Sequence, residues 1–462
     1  MSRRRVLGIA AAIAVIATIV AVSVVLTSAG RPTPTGPSIV VILTDDQRWN
    51  TLPQMPNVER LLVRHGVDFA NGFVVNSLCC PSRVSILTGQ YSHSTGVYTD
   101  SLPDGGFQKF HDSSTLATWL HDAGYRTGLI GKYLNEYRGT YVPPGWDRWF
   151  SFQQNPHGYY YDYSVNDGGT IRHYGTDPAA YSTDVLTRQA VSFIHEERGP
   201  LFLYFSPYAP HAPSTAAPRD VHAFRTLPRF DPPSLDERDM SDKPAWMRSL
   251  PMTPRRTIDE YRRAQYRSAL DLDRAVAAIV EALRQTGRLH HTMIVYLTDN
   301  GIAWGEHRWL RKEVPYEESI RVPYVIRYDP LTRGPRVDRH LVLNIDLAQT
   351  IAGLAGVGDP GAEGQSLVPL LARRPTRWRR DFLIEHVQGE QRPDPPTFCA
   401  IRTERYLYVV YATREVELYD LHRDPFELAN AAGEPSMVAV ARGLRRRLTQ
   451  LCTPRPPGLN AL

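Results

Sequence analysis

The polar and apolar positions of the chain fall into three blocks. Residues 6–26 run without a charge, interrupted only by Thr18 and Ser23. From Ser38 onward, short β-branched runs alternate with segments of helical period. Residues 39–43 (IVVIL) read as a strand buried on both faces. Residues 127–130, 201–205 and 293–297 read the same way. Between them, residues 56–65, 115–123, 181–196 and 262–286 repeat apolar side chains at helical spacing. Pro56 suits a first helical turn and Gly287 a helix end. This alternation predicts an α/β fold, a mostly parallel central sheet sandwiched by helices. After about residue 370 the rhythm changes. Residues 382–386, 398–402, 406–411 and 416–419 are short strands at close spacing, and residues 437–451 a final helix. That pattern predicts a smaller C-terminal antiparallel α+β subdomain. Residues 214–256, rich in Pro, Arg and Asp, read as a long surface loop. The expected organisation is residues 1–29 as a signal peptide or membrane anchor, 30–37 as a linker, 38–369 as the N-terminal domain and 370–462 as the subdomain.

The basic head at residues 1–5 followed by an apolar stretch is an export signal. The stretch is long enough to span a bilayer at ~1.5 Å per residue. Thr27-Ser28-Ala29 offers a small-residue cleavage site, and Ser2-Arg3-Arg4-Arg5-Val6-Leu7 resembles a twin-arginine signal. A cleaved signal and a retained anchor both stay open, and either places the bulk of the chain outside the cytoplasmic membrane. Composition adds little: 42% hydrophobic and 22% charged is ordinary globular usage. The net charge of +5 comes from 53 basic against 48 acidic residues, and Arg3, Arg4 and Arg5 supply three of the basic ones. The body is therefore close to neutral, which argues against a nucleic-acid partner. Four cysteines in 462 residues are too few for a disulfide scaffold. In an exported protein Cys399 and Cys452 either pair or stay as buried thiols.

Chemistry enters where polar residues meet strand ends, the ligand-binding edge of open parallel sheets. Asp45-Asp46, Lys132 and Asp299-Asn300 close predicted strands, and His211 follows another in a Pro-rich loop. Buried acidic pairs are costly unless a cation neutralises them. Carboxylates and an amide are hard oxygen ligands, suited to Ca²⁺ or Mg²⁺. The deciding motif is Cys79-Cys80-Pro81-Ser82-Arg83-Val84-Ser85-Ile86-Leu87-Thr88-Gly89. It resembles the signature of the sulfatase family: Cys, any residue, Pro, Ser, Arg, three residues, then Leu-Thr-Gly. Thr44-Asp45-Asp46-Gln47 and Thr298-Asp299-Asn300-Gly301 are similar to the family's two metal pairs. Gly131-Lys132-Tyr133-Leu134-Asn135 resembles its lysine motif in the branch of N-acetylglucosamine-6-sulfatases and extracellular heparan sulfatases. Lys312 before Pro315-Tyr316-Glu317-Glu318-Ser319 and the segment from Glu417 to Leu428 are also similar.

The resemblance implies an alkaline-phosphatase-like fold and a sulfuric ester hydrolase acting on a sugar or aryl sulfate. It implies oxidation of Cys79 to formylglycine (3-oxoalanine) by a formylglycine-generating enzyme. It implies one divalent cation, Ca²⁺ favoured over Mg²⁺, held by Asp45, Asp46, Asp299, Asn300 and the modified Cys79. Arg83 and Lys132 would hold the aldehyde hydrate, and His211 and Lys312 would grip the sulfate and protonate the leaving alcohol. Asn135 and His93 are candidate substrate contacts. The partners expected are a sulfated small molecule or glycan, the modifying enzyme, and the membrane if the N-terminal segment is uncleaved. The chain departs from the pattern at Leu134, where many relatives carry a His, and at Ala303. His93, and less strongly His307, are candidate replacements. Tyr159, Tyr160, Tyr161 and Tyr163 read equally as a sugar-lining cluster and as a buried strand. Two other activities stay open: a phosphate or phosphonate monoester hydrolase of the same superfamily, and a catalytically silent, surface-tethered binding protein.

Overall fold

The computed structural model describes residues 34–155, 158–358, 361–390 and 393–462. The N-terminal signal or anchor lies outside the described residues, among which no helix is long and apolar enough to cross a membrane. Four parallel strands form the centre of a ten-stranded sheet. They are β1 (Ser38–Thr44), β2 (Arg126–Gly131), β3 (Leu201–Ser206) and β4 (Thr292–Thr298), in the spatial order β4-β1-β3-β2. Val41 of β1 pairs with Val295 of β4 and with Tyr204 of β3, and Leu129 of β2 pairs with Tyr204.

The apolar runs of these strands are needed because each faces two cores. On β1, Val40 and Ile42 join the layer under Pro56–Leu61, Ser182–Glu196 and Arg255–Gln285. Ile39, Val41 and Leu43 join the layer under Cys79–Thr88, Leu116–Asp122 and Asp346–Ala355. Strict alternation of side chains along a strand produces the split. Towards the edges the sheet turns antiparallel: Tyr324–Arg327 runs against β4, and Tyr163–Asp167 with Thr170–Tyr174 forms a hairpin beyond Arg148–Phe152.

Asp381–His386, Phe398–Thr403, Tyr406–Tyr411 and Val416–Asp420 make a separate antiparallel sheet. Its outer face packs under the helix Val438–Leu451, where Cys399 and Cys452 form a disulfide. Its inner face, with Phe382, Ile384 and Phe398, packs on Phe73, Val75 and Tyr316 of the large sheet's domain.

Two expectations change. The long helix begins at Arg255, not at residue 262. Before residue 262 only Ile258 and Tyr261 of this helix are apolar, and the charged Arg255, Arg256, Asp259 and Glu260 around them mask the period. The segment at 214–256 is irregular but not merely superficial: Ser234, Met240, Lys243 and Met247 are buried in it.

Candidate active site

The carboxyl ends of β1, β2 and β4 converge, and the loop after β3 closes over them. Asp45 and Asp46 follow β1, Asp299 and Asn300 follow β4, Lys132 follows β2 and His211 lies in the loop after β3. Gly131 precedes the lysine with φ +126°, and a Cβ there would sit 2.0 Å from the Ser206 carbonyl oxygen. Only glycine lets β2 close on β3 and deliver Lys132 to the site. Asp46 takes a left-handed φ of +57°, which an aspartate tolerates.

The helix α1 (Cys79–Thr88) starts at this point, with Pro81 in its first turn and Gly89 (φ +72°) as its left-handed cap. Cys79 and Cys80 separate by the helical rotation. Cys80 packs in the apolar layer with Val84 and Leu116, whereas Cys79 Sγ lies 3.5 Å from Asp45 Oδ1 and 2.7 Å from Lys312 Nζ. Arg83, one turn on, shares the face of Cys79. Its Nε donates to Asp299 Oδ2 (2.7 Å), its Nη2 to Asp45 Oδ2 (3.1 Å) and its Nη1 to Ser206 Oγ (2.7 Å). Lys132 Nζ donates to Asp45 Oδ2 and Lys312 Nζ to Asp46 Oδ1, each at 2.6 Å. His211 Nε2 is 3.4 Å from Asp46 Oδ2, while its Nδ1 donates to the Ala212 carbonyl at 2.7 Å.

Burial alone would raise the Asp45 and Asp46 carboxyls. Lys132, His211 and Arg83 around the first, and Lys312 and His211 around the second, more than offset it and hold both below the usual carboxylate range. Burial, with Asp45 adding, pushes the Cys79 thiol well up.

The donors fit a hard divalent cation. Asn300 is fully buried, its Nδ2 donates to Asp46 Oδ1 at 2.6 Å, and its Oδ1 has no hydrogen-bond partner. A buried orphan carbonyl oxygen beside two carboxylates is a place for a cation. Asp45, Asp46, Cys79 and His211 bring ligand atoms within 4.8 Å of one another. Asp299 stands behind them, its oxygens taken by Arg83 Nε and the Asp46 N–H.

A cavity of about 640 Å³ opens in front, lined by Asp46, Lys132, His211 and Lys312, and by Asn135 and Tyr159 among the sequence-based candidates. Asn135 Oδ1 has no partner. His93 does not line it: its Nδ1 is 3.0 Å from Glu385 Oε1 and its ring stacks on Tyr91. Nor does His307, buried on Tyr316 with Nδ1 2.6 Å from Glu237. The tyrosine cluster divides. Tyr159 faces the cavity, Tyr160 and Tyr163 sit in the core, and Tyr161 packs half-buried on Tyr181. Arg311, which the sequence offers as a competitor of Lys312, also lines the cavity, as do Asp100, Tyr208, Glu313, His386 and Asp394, which sequence reasoning did not select. For His386 a signal existed, a polar residue closing a predicted strand.

The family model described as Sulfatase matches residues 37–357, and that of the N-sulphoglucosamine sulphohydrolase C-terminal region matches residues 305–453. The chain is 36% identical to an extracellular sulfatase SULF-1 homolog of Drosophila melanogaster, over 76% of this chain and 33% of that one. It is 31% identical to the human N-acetylglucosamine-6-sulfatase, over 92% of this chain and 86% of that one. Thus it spans most of the human relative but only a third of the fly one. A solved structure in complex with its substrate D-glucosamine-2-N,6-O-disulfate superposes with TM-score 0.81 at 24% identity, covering 90% of this chain and 98% of that one, a likeness of fold. With a match from Pro37 to Val357 that includes the helix bearing Cys79 and both acidic strand ends, the chain belongs to the sulfatase family.

Proposed function

We propose that the protein hydrolyses a sulfate monoester of a glucosamine-type sugar, using formylglycine formed from Cys79. One observation carries the reading. Cys79 sits at the first turn of α1 with Lys312 Nζ 2.7 Å from its sulfur and Asp45 Oδ1 at 3.5 Å, and the same Nζ reaches Asp46 Oδ1, the oxygen that Asn300 Nδ2 also meets. A helix N-terminus flanked by ammonium groups is an anion site.

Asp45, Asp46 and Asn300, with residue 79, would hold the cation, and Asp299, whose oxygens already accept from Arg83 Nε and the Asp46 N–H, would complete the set through its remaining lone pairs. The all-oxygen side chains favour Ca²⁺ over a softer metal. Bound there, it would neutralise charge on the sulfuryl oxygens and make the hydrated aldehyde more acidic. Arg83 fixes the two acidic strand ends and Lys132 flanks residue 79, so the reacting group meets a prearranged positive field. Lys312 reaches the same point from the opposite side and binds sulfate oxygen. His211 donates Nδ1–H to the Ala212 carbonyl, which leaves Nε2 facing the site to exchange a proton with the leaving alcohol. Tyr208 lies under the His211 ring at 4.5 Å and Tyr159 packs beside it at 4.7 Å, offering apolar faces to a sugar. The names of the relatives support the glucosamine end of the substrate. The Cys399–Cys452 disulfide, with extracellular relatives, supports export to an oxidising compartment.

The test is mass spectrometry of the Cys79 peptide joined to a sulfate-release assay, in protein made with a formylglycine-generating enzyme. The expected result is an aldehyde at residue 79, sulfate release from glucosamine 6-sulfates, and loss of that release in Cys79→Ala. A free thiol at residue 79 in protein that turns over sulfate esters overturns the mechanism. Faster hydrolysis of phosphate or phosphonate monoesters than of sulfate esters overturns the substrate class.

A further inference from the structure

Outside the cavity, His307, Glu318 and Glu427 meet in a place that the sulfate chemistry does not use. They come from three segments: the loop after β4, the short helix Glu317–Ile320 and the turn after the strand Val416–Asp420. Their exposures are 1%, 8% and 1%, and each brings a ligand atom within 4.8 Å of the other two. Each also holds a buried atom with no hydrogen-bond partner: His307 Nε2, Glu318 Oε2 and Glu427 Oε1. The charges around them are already paired. Arg48 meets Glu306 (2.7 Å), Lys243 meets Glu237 (3.3 Å), and Arg402 and Arg321 meet Glu317 (2.8 and 3.8 Å). Lys243 Nζ donates to the carbonyl oxygens of Glu427 and Leu428, not to the Glu427 carboxylate. Among the described residues, Glu318 and Glu427 form no ion pair. Two carboxyls buried together are costly unless a proton or a cation stands between them. One proton serves two of the three unpartnered acceptors; a cation serves all three. The imidazole is already set for a cation. Its Nδ1 is 2.6 Å from Glu237 Oε2, which places the proton on Nδ1 and leaves the Nε2 lone pair facing out of that contact. A carboxylate on the far nitrogen is the usual support of a metal-ligating histidine.

We propose that His307, Glu318 and Glu427 form a second metal site, for a structural divalent ion of the zinc class. One imidazole with two carboxylates suits zinc better than calcium, which takes oxygen ligands. A water or the second oxygen of a carboxylate completes four-fold coordination. A cleft of about 640 Å³, lined by Arg48, Glu317, Glu318 and Arg402, opens beside Glu318 and gives the ion a way in. The ion staples the turn of the C-terminal sheet to the large domain. His307 and Glu318 flank Lys312 along the chain, so the staple also fixes both ends of the segment that carries it. In metal-free protein a proton takes the ion's place between the two carboxyls.

The experiment uses the full chain made without the modifying enzyme, so that residue 79 keeps its sulfur and marks the active site. The protein is loaded with zinc chloride at neutral pH in excess calcium, then dialysed against calcium alone. Inductively coupled plasma mass spectrometry counts the zinc, and zinc-edge X-ray absorption reads its neighbours. The wild type should retain about one zinc per chain, with nitrogen and oxygen at ~2.0–2.2 Å and no sulfur at ~2.3 Å. Its thermal unfolding midpoint should rise on loading. His307→Gln and Glu318→Gln should each lose both the zinc and the rise, whereas Cys79→Ala should keep both. Should one variant not fold, the other and the wild-type absorption spectrum still decide. No retained zinc, a sulfur neighbour, or zinc undiminished in folded His307→Gln or Glu318→Gln overturns the site. None of these readings depends on turnover, so the proposed function stands or falls separately.

Discussion

Replacing Arg83 by methionine removes the guanidinium that pairs with both Asp45 and Asp299. The guanidinium is fully buried and donates to Asp299, Asp45, Ser206 Oγ and, at 2.9 Å, the Lys132 carbonyl. Methionine fills similar volume, so the packing loss is small and the electrostatic loss dominates. Asp45 keeps Lys132 at 2.6 Å, but among the described residues Asp299 keeps no ion pair. Removing one partner of a buried pair costs about 3–5 kcal/mol. Counting two charge-assisted hydrogen bonds at ~1.5–3 kcal/mol each gives nearly the same range. Against a total stability of about 5–15 kcal/mol, that loss is large. Urea unfolding followed by tryptophan fluorescence measures it, once in EDTA and once in saturating calcium. In EDTA, Arg83→Met should lose about 3–5 kcal/mol. In calcium the loss should shrink, because a bound cation neutralises the same carboxylates and stabilises by mass action. A loss below about 1 kcal/mol in EDTA refutes the buried-charge argument. An equal loss in both media refutes the assignment of these carboxylates to the cation.

Cys452→Ala opens a bridge across 53 residues. The chain-entropy model gives about 4 kcal/mol, read as a lower unfolding midpoint in oxidised protein and no difference after reduction. Burial, with Glu318 adding, raises the Glu427 carboxyl well above its usual value, and burial raises Glu318 too. A raised folded-state value means that the folded protein binds the extra proton. Its stabilisation is full below the unfolded carboxylate pKa of about 4.3 and is lost as pH rises through the folded value. Glu427→Gln should therefore flatten the fall in urea midpoint between acid and alkaline buffer; parallel curves contradict this. His93→Ala should leave kcat unchanged, since the ring does not face the cavity, yet cost about 1–3 kcal/mol by leaving the buried Glu385 Oε1 without its ring partner. A fall in turnover at unchanged stability would return His93 to the site.

The centre of the sheet was legible because β1, β2, β3 and β4 are covered on both faces, so their sequences are unbroken apolar runs. The outer strands were not. Thr170–Tyr174 is largely exposed and Val67–Phe69 is three residues long, and neither leaves a period to count. The site divides in the same way. Asp45, Asp46, Lys132, Asp299 and Asn300 adjoin the ends of legible strands, and Cys79 and Arg83 share one helix turn, so local order already implied their meeting. Glu313, His386 and Asp394 meet only because the C-terminal sheet packs its inner face on Phe73 and Tyr316. That is a tertiary fact with no local signature. His93 shows the reverse error: its place near the Cys79 motif suggested the cavity, but its Nδ1 and its N–H both face Glu385.

Three carboxylates, Asp45, Asp46 and Asp299, and three cations, Arg83, Lys132 and Lys312, share one nearly dry pocket. Either set alone would cost too much to bury; together they balance, and this balance lets the strand ends fold before any ligand arrives. The cations are not equivalent. Arg83 is 0% exposed and lies behind the carboxylates, so it stays with the fold. Lys132 and Lys312 are 5% and 8% exposed, line the cavity, and each engages an oxygen that a cation would also take. A dication drawing on Asp45 and Asp46 would compete with those ammonium groups directly, and a sulfate ester would offer them new oxygens. On the proposed reading, cation and anion would enter as a compensating pair, each making the other's binding less costly.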